Sequence, residues 1–240
     1  MQSKASFKLR RMVIVAVFAA LAYVAMLAIH IKVGFLTLDV KDTVITLCGL
    51  YFGPLASLTI SLIVPLLEYV TVSDTREYGL IMNILGSVSF SVTASLIYKW
   101  KKSLAGAIAA LVSAAFVMTG IMLLANLLIT PYYMGVSVAD VRALIPTLLL
   151  PFNFIKAVLN VGLVLLLYKH IGTALRKAGF LPRKAALSGE VASLEGQGGA
   201  SRSTSTLWRT LLVSAAAVVL VVASVLVIFL VLGGHIGFGV

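Results

Sequence analysis

Long apolar stretches alternate with short polar connectors along most of the chain. Several of these stretches reach the roughly 20 residues that a helix needs to cross the hydrocarbon core of a bilayer. The pattern predicts six membrane helices and an appended seventh. Their approximate limits are 12–31, 43–70 as two short helices, 78–98, 104–129, 145–168 and 207–232. We therefore expect an all-α polytopic membrane protein, with a six-helix bundle and an additional C-terminal transmembrane helix.

The apolar run 43–70 is interrupted by Gly53 and Pro54. One tilted span would fit its length, but acidic residues flank both ends of the run. A hairpin of two short helices that turns at this point brings both ends to the same side of the membrane. The next basic cluster, at Lys99, then falls in the cytoplasm. The sequence therefore favours the hairpin.

Basic residues indicate the orientation of the helices. Under this topology, twelve Lys or Arg residues and no acidic residue lie on the cytoplasmic side up to residue 184, whereas the outer side holds four basic and six acidic residues. The four outer basic residues are Lys32, Lys41, Arg76 and Arg142. Because cytoplasmic loops carry the excess of Lys and Arg in membrane proteins, the N-terminus is expected in the cytoplasm. The first apolar run is too long for a signal peptide, so it predicts an uncleaved first helix.

Composition supports the membrane assignment and excludes several other classes. The chain is 61% hydrophobic and 11% charged, with a mean hydropathy of +1.10. The net charge of +11 does not indicate a nucleic-acid partner, because the basic residues cluster at the ends of apolar segments. The single cysteine, Cys48, excludes an intrachain disulfide. The three histidines are far apart in sequence, which makes a metal site unexpected.

Three regions are predicted along the chain. Residues 1–184 form the six-helix membrane domain, residues 185–206 are rich in Gly and Ser and predict a flexible cytoplasmic linker, and residues 207–240 contain the seventh helix and a short outer tail. The seventh helix carries few polar residues and follows a linker. We therefore expect it to be dispensable for ligand binding.

Polar residues within the predicted spans are the candidates for a binding site. They are Asn83, Asn126, Asn153, Lys156 and Asn160. Helical spacing places the last three on one face of the sixth span. A lysine deep in such a helix costs about 2.5 to 3.5 kcal/mol on insertion scales, so it needs a polar partner or a water-filled cavity.

Other interpretations of these residues are open. Lys156 could instead reach the membrane interface, or pair with another helix only to hold the bundle together. It could also neutralise a buried acid, for which Glu68 is the candidate. Each asparagine could make an interhelical hydrogen bond without touching a ligand.

The polar set favours binding over catalysis. Asparagine offers donors and an acceptor and lysine offers donors, so together they suit the carbonyl and imide groups of a neutral heterocycle. The sequence contains neither a phosphate-binding nucleotide loop nor a nucleophile set, so we expect no enzyme activity and no ATP hydrolysis in this chain. A secondary transporter would need ion-coupling carboxylates at the helix centres, and an assembly factor without a ligand would leave Lys156 unexplained.

Two further segments have features that indicate contacts. The connector 32–42 carries Phe35, Leu36 and Leu38, and a loop this apolar is expected to fold back over something. Asp42 or Thr43 is expected to cap the helix that follows it. In the first helix, the small side chains of Ala16 and Ala20 permit close helix approach, although alanine is also common in membrane helices generally.

Five segments carry a resemblance to a known family. They are Phe35–Asp42, Gly49–Pro54, Gly79–Asn83, Ala125–Gly135 and Leu150–Lys156. Together they resemble the riboflavin-specific substrate-binding (S) components of energy-coupling factor (ECF) transporters, over residues 10 to about 175. The segments Asn126-Leu-Leu-Ile-Thr-Pro-Tyr-Tyr-Met-Gly and Pro151-Phe-Asn-x-x-Lys are specific to the riboflavin group, whereas the pair Ala16 and Ala20 is shared across S components.

The resemblance implies a function and a set of partners. The chain would be a multi-pass protein of the bacterial cell membrane that captures riboflavin from outside with high affinity, under a lid formed by the first outer loop. Riboflavin would be the transported ligand, and no cofactor is expected. The face with Ala16 and Ala20 would bind a transmembrane coupling subunit, which acts with two cytoplasmic ATPase subunits. An S component for another vitamin, or a secondary transporter outside the ECF class, is the alternative.

The resemblance also implies which residues contact the ligand. In the family, the flavin ring is held by the Asn of the fifth helix and by the Asn and Lys of the sixth. These positions are Asn126, Asn153 and Lys156 here. Contacts from the lid and loops would come from Phe35, Leu36, Leu38 and Asp39, with further contacts from Asn83 and Tyr132. The seventh helix departs from the family's six-helix plan.

Overall fold

The computed structural model describes residues 4–73, 75–181, 202–230, 232 and 235–236. Eight α-helices are present in this part of the chain: α1 Lys4–Ala28, α2 Lys41–Phe52, α3 Pro54–Thr71, α4 Arg76–Trp100, α5 Leu104–Met134, α6 Val138–Leu144, α7 Leu150–Lys177 and α8 Arg202–Leu230. A π-helical turn, Ile145–Leu149, joins α6 to α7. The strands are β1 Ile31–Val33, β2 Leu36–Leu38 and β3 His235–Ile236. The predicted all-α polytopic fold is confirmed.

Within the described residues, six helical segments are long and apolar enough to cross a membrane. They are α1 from Leu9, α3, α4, α5, the continuous segment from α6 to α7, and α8 from Leu211. Helix α2 has only 12 residues, about 18 Å at 1.5 Å per residue, which is less than the hydrocarbon thickness. It packs against α1, α3, α4 and α7 and is buried along most of its length, so it forms the centre of the bundle.

The predicted hairpin in the run 43–70 is confirmed. Helices α2 and α3 are separated by Gly53, whose φ of +95° favours glycine, and they pack against each other. At Gly49 in α2, an added Cβ would collide with the side chains of Ser57 and Ser95. Small residues therefore allow α2, α3 and α4 to approach closely.

The apolar connector folds back over the bundle as a β-hairpin. Strands β1 and β2 pair antiparallel, with Ile31 opposite Leu38 and Val33 opposite Leu36. Val33 and Leu38 are fully buried and belong to an apolar cluster with Phe152 of α7. We call residues 31–38 the lid hairpin. The prediction that this connector folds back is confirmed.

The predicted cap of the second helix is wrong. Helix α2 starts at Lys41, and the residue before it, Val40, makes no side-chain capping bond. Asp42 instead accepts a hydrogen bond from Ser87 on α4, and Thr43 donates to Asn160 on α7. These side chains are drawn into contacts between helices because they are fully buried, where a polar group needs a partner.

The C-terminal helix packs on the bundle. Helix α8 lies against α7, and β3 pairs with β1 to give a three-stranded sheet in the order β2–β1–β3. Residues 185–201 of the predicted linker lie outside the described residues, and α8 begins at Arg202, before the predicted start at Leu207. Other helices also extend beyond their predicted limits, since α1 begins at Lys4, α5 ends at Met134 and α7 ends at Lys177.

Candidate ligand-binding site

A cavity of about 290 Å³ lies where the lid hairpin meets α4, α5 and α7. The hairpin contributes Phe35 and Leu36, α4 contributes Met82 and Asn83, α5 contributes Met118, Met122 and Asn126, and α7 contributes Phe152, Asn153 and Lys156. The volume is near the lower end of the range for small-molecule sites, roughly 300 to 1,000 Å³. The wall combines large apolar side chains with a few amide and charged groups, as such sites usually do.

The three asparagines of α5 and α7 are oriented by the same local contact. In each, Nδ2 donates to a carbonyl one turn earlier: Asn126 to Met122 at 2.7 Å, Asn153 to Leu149 at 2.8 Å and Asn160 to Lys156 at 3.0 Å. The Asn126 Oδ1 atom also accepts from the hydroxyl of Thr130 at 2.9 Å. Among the described residues, no hydrogen bond reaches Oδ1 of Asn153. Asn153 therefore keeps an acceptor and one N–H for a ligand.

Lys156 joins α7 to the end of the lid hairpin. Its Nζ atom lies 3.0 Å from Oδ2 of Asp39 and 3.3 Å from the carbonyl oxygen of Thr37. Burial raises the pKa of the Asp39 carboxyl, but the ammonium groups of Lys156 and Lys41 outweigh this effect and hold the pKa well below its usual range. Asp39 is therefore an ionised counter-ion. Lys156 both faces the cavity and neutralises a buried acid. That acid is Asp39 and not Glu68, the candidate that the sequence offers.

Lys41 is the centre of a second set of contacts. Its Nζ atom lies 2.7 Å from Oε2 of Glu68, 3.1 Å from Oδ2 of Asp39 and 3.1 Å from Oδ1 of Asn83. Nδ2 of Asn83 also donates to Glu68 at 3.0 Å. The lysine is only 1% exposed, so its charge must be matched internally. We call these four residues, Lys41, Asp39, Glu68 and Asn83, the ionic network. The ionic network connects the end of the lid hairpin to α3 and α4 beside the cavity.

A third buried carboxyl, Asp42, completes the polar wall. It lines the cavity and accepts a hydrogen bond of 2.5 Å from the hydroxyl of Ser87, which also lines it. The next residue of α2, Thr43, donates to Oδ1 of Asn160 at 2.6 Å. Because both groups of this pair are buried and satisfied by each other, Asn160 holds α2 against α7.

The structure brings six of the residues predicted to contact the ligand to one cavity: Phe35, Leu36, Asn83, Asn126, Asn153 and Lys156. It places the other three elsewhere. Leu38 of the hairpin is fully buried in an apolar cluster, and Asp39 forms an ion pair with Lys156 outside the cavity wall. Tyr132 is 78% exposed, and its neighbour Tyr133 lines the cavity, because successive residues of a helix point about 100° apart.

Several residues of the site were missed in the sequence. The sequence places Lys41 among the outer basic residues, yet it is buried in the ionic network with Asp39 and Glu68. The available signal was the opposite charge of Asp39 and Lys41 within an otherwise apolar connector, where isolated charges would be costly. Tyr78 and the methionines of α4 and α5 carried no such signal, because apolar side chains are expected throughout a membrane bundle.

The small residues of α1 divide between two faces. Ala19 and Ala22 are buried in the bundle, whereas Ala16 and Ala20 are exposed on the outer surface of the bundle. Val13 and Val17 lie beside them and are also exposed. The surface that the sequence proposes for helix approach is therefore open to another protein or to lipid.

Comparisons with known proteins agree with this architecture. The family described as "ECF transporter, substrate-specific component" matches residues 10–168. The chain is 30% identical over 177 residues to the riboflavin transporter RibU of Staphylococcus aureus (strain TCH60), covering 70% of this chain and 93% of that protein. A solved structure of the S component of a bacterial ECF transporter matches with a TM-score of 0.61 and 30% identity, over 70% of this chain and 98% of the other.

Proposed function

Because the chain belongs to the family of substrate-specific components of ECF transporters, we propose that it captures riboflavin at the outer face of the bacterial cell membrane. The observation that carries the proposal is the convergence of Asn126, Asn153 and Lys156 on one cavity beneath the lid hairpin. The chain is a transport component and not an enzyme. Its task is therefore to bind the ligand and release it on the other side.

The polar edge of a flavin matches the groups that the cavity leaves available. The pyrimidine side of the flavin ring presents a carbonyl, an N–H and a second carbonyl in a row. Asn153 offers an acceptor for the N–H and a donor for one carbonyl, and Nζ of Lys156 has a third donor beyond its bonds to Asp39 and Thr37. Since the Lys156 donor is charged, its bond to a carbonyl is the strongest of the set.

The apolar part of the wall suits the flat tricyclic ring. Met82, Met118 and Met122 contribute polarisable thioethers, and Phe152 and Tyr133 contribute aromatic faces or edges. Sulfur and aromatic groups both make favourable contacts with an aromatic ligand. Replacing water on these surfaces by the ring would supply much of the binding free energy.

Riboflavin also carries a chain of hydroxyl groups, which need hydrogen-bond partners in addition to those of the flavin ring. Asp42, Ser87 and Thr75 line the same cavity and provide carboxyl and hydroxyl oxygens. A polyol can exchange hydrogen bonds with both kinds of group. The combination of amide and ammonium groups, thioether and aromatic side chains, and carboxyl and hydroxyl groups supports riboflavin over a small uniformly apolar ligand.

Transport would require partners that this chain does not contain. We propose that the exposed pair Ala16 and Ala20 on α1 docks a transmembrane coupling subunit, and that two cytoplasmic ATPase subunits drive the cycle. Small side chains let helix backbones approach closely in a membrane, and both alanines are exposed on the outside of the bundle. The excess of basic residues at one end of the helices supports a cytoplasmic N-terminus, with the cavity at the outer end.

A spectrum of the purified protein tests the proposed ligand. Protein purified from cells grown in rich medium should be yellow and should show flavin absorption that is released on denaturation. A colourless protein that also gains no colour when incubated with riboflavin would contradict the proposal and favour another vitamin. Uptake by the chain alone, in cells that lack the coupling subunit and the ATPases, would contradict the proposed dependence on partners.

A further inference from the structure

The appended helix α8 belongs to the same apolar cluster as the lid hairpin that lies over the cavity. Ile228 of α8 is fully buried in the apolar cluster that contains Val33 and Leu38 of the lid hairpin and Leu159 of α7. Val221, Val225 and Phe229 of α8 pack against the same cluster. The C-terminal helix and the lid hairpin therefore share one apolar core.

Close packing fixes α8 on α7. At Gly162 of α7, an added Cβ would lie 3.0 Å from Cγ2 of Val221 and 3.1 Å from the carbonyl oxygen of Ala217. Ala217 itself is only 1% exposed. Small residues on both helices thus allow their backbones to approach, which is how helices associate stably within a membrane.

The chain beyond α8 reaches the lid hairpin itself. Strand β3 pairs antiparallel with β1, with Ile236 opposite Ile31 and His235 opposite Lys32. Strand β1 is therefore the central strand of the sheet and has hydrogen-bonded neighbours on both sides. A lid built from two strands alone would leave this edge of β1 unpaired, and isolated two-stranded hairpins are only marginally stable.

We propose that α8 and β3 form a brace that holds the lid hairpin closed and slows the entry and release of the ligand. Within the described part of the chain, the residues that line the cavity all lie between His30 and Lys156, so the brace acts on the lid and adds no ligand contact. The inference rests on the proposed function, which assigns the cavity to riboflavin and residues 31–38 to its lid.

The brace changes what the seventh helix contributes to binding. The brace stabilises the closed hairpin both with and without ligand. Loss of the brace should therefore increase the rates of riboflavin association and dissociation together, and should change the equilibrium affinity less than either rate. This agrees with the expectation that the helix is dispensable for binding, and it assigns the helix a kinetic role. Opening of the hairpin is the step that α8 controls.

A substitution within α8 tests the brace without altering the six-helix part of the chain. Ala217→Leu adds bulk at a buried residue whose carbonyl oxygen lies close to Gly162, whereas Ala216→Leu adds the same bulk at an exposed position of the same helix and is the matched control. In the ligand-free protein, Ala217→Leu should increase the hydrogen exchange rate of the hairpin amides by about tenfold, which corresponds to 1.4 kcal/mol. Equal exchange in the two variants would overturn the proposal.

A reversible cross-link provides the opposite perturbation in the full chain. Ile31→Cys combined with Ile236→Cys places two thiols at a paired position of β1 and β3, and the natural Cys48 is buried. The oxidised protein should release riboflavin more slowly than the same protein after reduction. Release that is unchanged or faster after oxidation would overturn the proposal. If the parent binds no riboflavin, the proposed function fails, and the hydrogen exchange comparison still decides whether α8 holds the hairpin.

Discussion

The Nζ atom of Lys156 lies 3.0 Å from Oδ2 of Asp39, and both side chains are buried. The pair connects α7 to the end of the lid hairpin, next to the cavity. On the insertion cost of a lysine alone, removal of its charge would leave the protein at least as stable as the parent. The contact with Asp39 changes that expectation, because a buried carboxylate would lose one of its two ammonium partners.

Lys156→Met should therefore reduce both affinity and stability. Loss of a charge-assisted hydrogen bond worth about 1.5 to 3 kcal/mol weakens riboflavin binding about ten- to a hundredfold. Stability should fall by about 1 to 3 kcal/mol, less than for an isolated buried pair, because Lys41 still contacts Asp39. Fluorescence titration and thermal unfolding in detergent measure the two effects.

The double variant Asp39→Asn with Lys156→Met separates these effects. It removes the carboxylate that has lost one of its two ammonium partners, so stability should return toward that of the parent while affinity stays low. If affinity recovered together with stability, Lys156 would act only through the fold and would not contact the ligand.

Leu36 and Leu38 should respond differently to replacement by serine, although both lie on β2. Leu36 lines the cavity, so Leu36→Ser should accelerate riboflavin dissociation about five- to tenfold through lost apolar contact. Leu38 is fully buried beneath the hairpin, so Leu38→Ser should lower the free energy of unfolding by about 2 to 5 kcal/mol. If the Leu36 variant released riboflavin at the parent rate in stopped-flow measurements, the hairpin would not be part of the binding site.

Asn153 and Asn160 form a similar comparison on α7. Asn153→Leu removes an available acceptor and donor from the cavity wall and should weaken binding about tenfold, with little change in unfolding temperature. Asn160→Leu should instead cost about 1 to 3 kcal/mol of stability, because it leaves the buried hydroxyl of Thr43 without its partner. An Asn153 variant that lost stability and kept its affinity would reverse these assignments.

Ala16→Trp should abolish riboflavin uptake by cells that contain the coupling subunit and the ATPases, while the isolated protein still binds riboflavin. The indole ring would prevent close approach of a partner helix at an exposed position of α1. Leu124→Trp on α5 is the control, since Leu124 is also exposed and lies on a different helix. Should binding and uptake fall together in the Ala16 variant, the alanine would serve internal packing.

The fold was largely predictable from the sequence, because hydrocarbon-length apolar runs and clusters of basic residues impose strong constraints on a membrane protein. The break between α2 and α3 was also visible, since Gly53 and Pro54 interrupt the run. The cap of α2 was predicted wrongly because capping preferences describe exposed helix ends. Asp42 and Thr43 are buried there and bond to other helices.

The candidate site was only partly predictable. Amides and a lysine at membrane depth are costly enough to mark five polar residues as candidates, and the family resemblance selects Asn126, Asn153 and Lys156 among them. The partner of Lys156 was not predictable, because Asp39 is distant in sequence and reaches it only when the connector folds into the lid hairpin. The role of Lys41 was hidden for the same reason, since a charge next to a predicted loop is normally solvated.

The central claim is that this chain binds riboflavin in the cavity formed by α5, α7 and the lid hairpin. Equilibrium titration of the ligand-free protein with riboflavin, followed by quenching of flavin fluorescence, tests it most directly. We expect saturation at about one riboflavin per chain with a dissociation constant below about 1 µM, equivalent to more than about 8 kcal/mol. Binding should be at least about a hundredfold weaker when Asn126→Leu and Asn153→Leu are combined. An unsaturable signal for the parent, or equal affinity in the parent and a folded double variant, would contradict the proposed site.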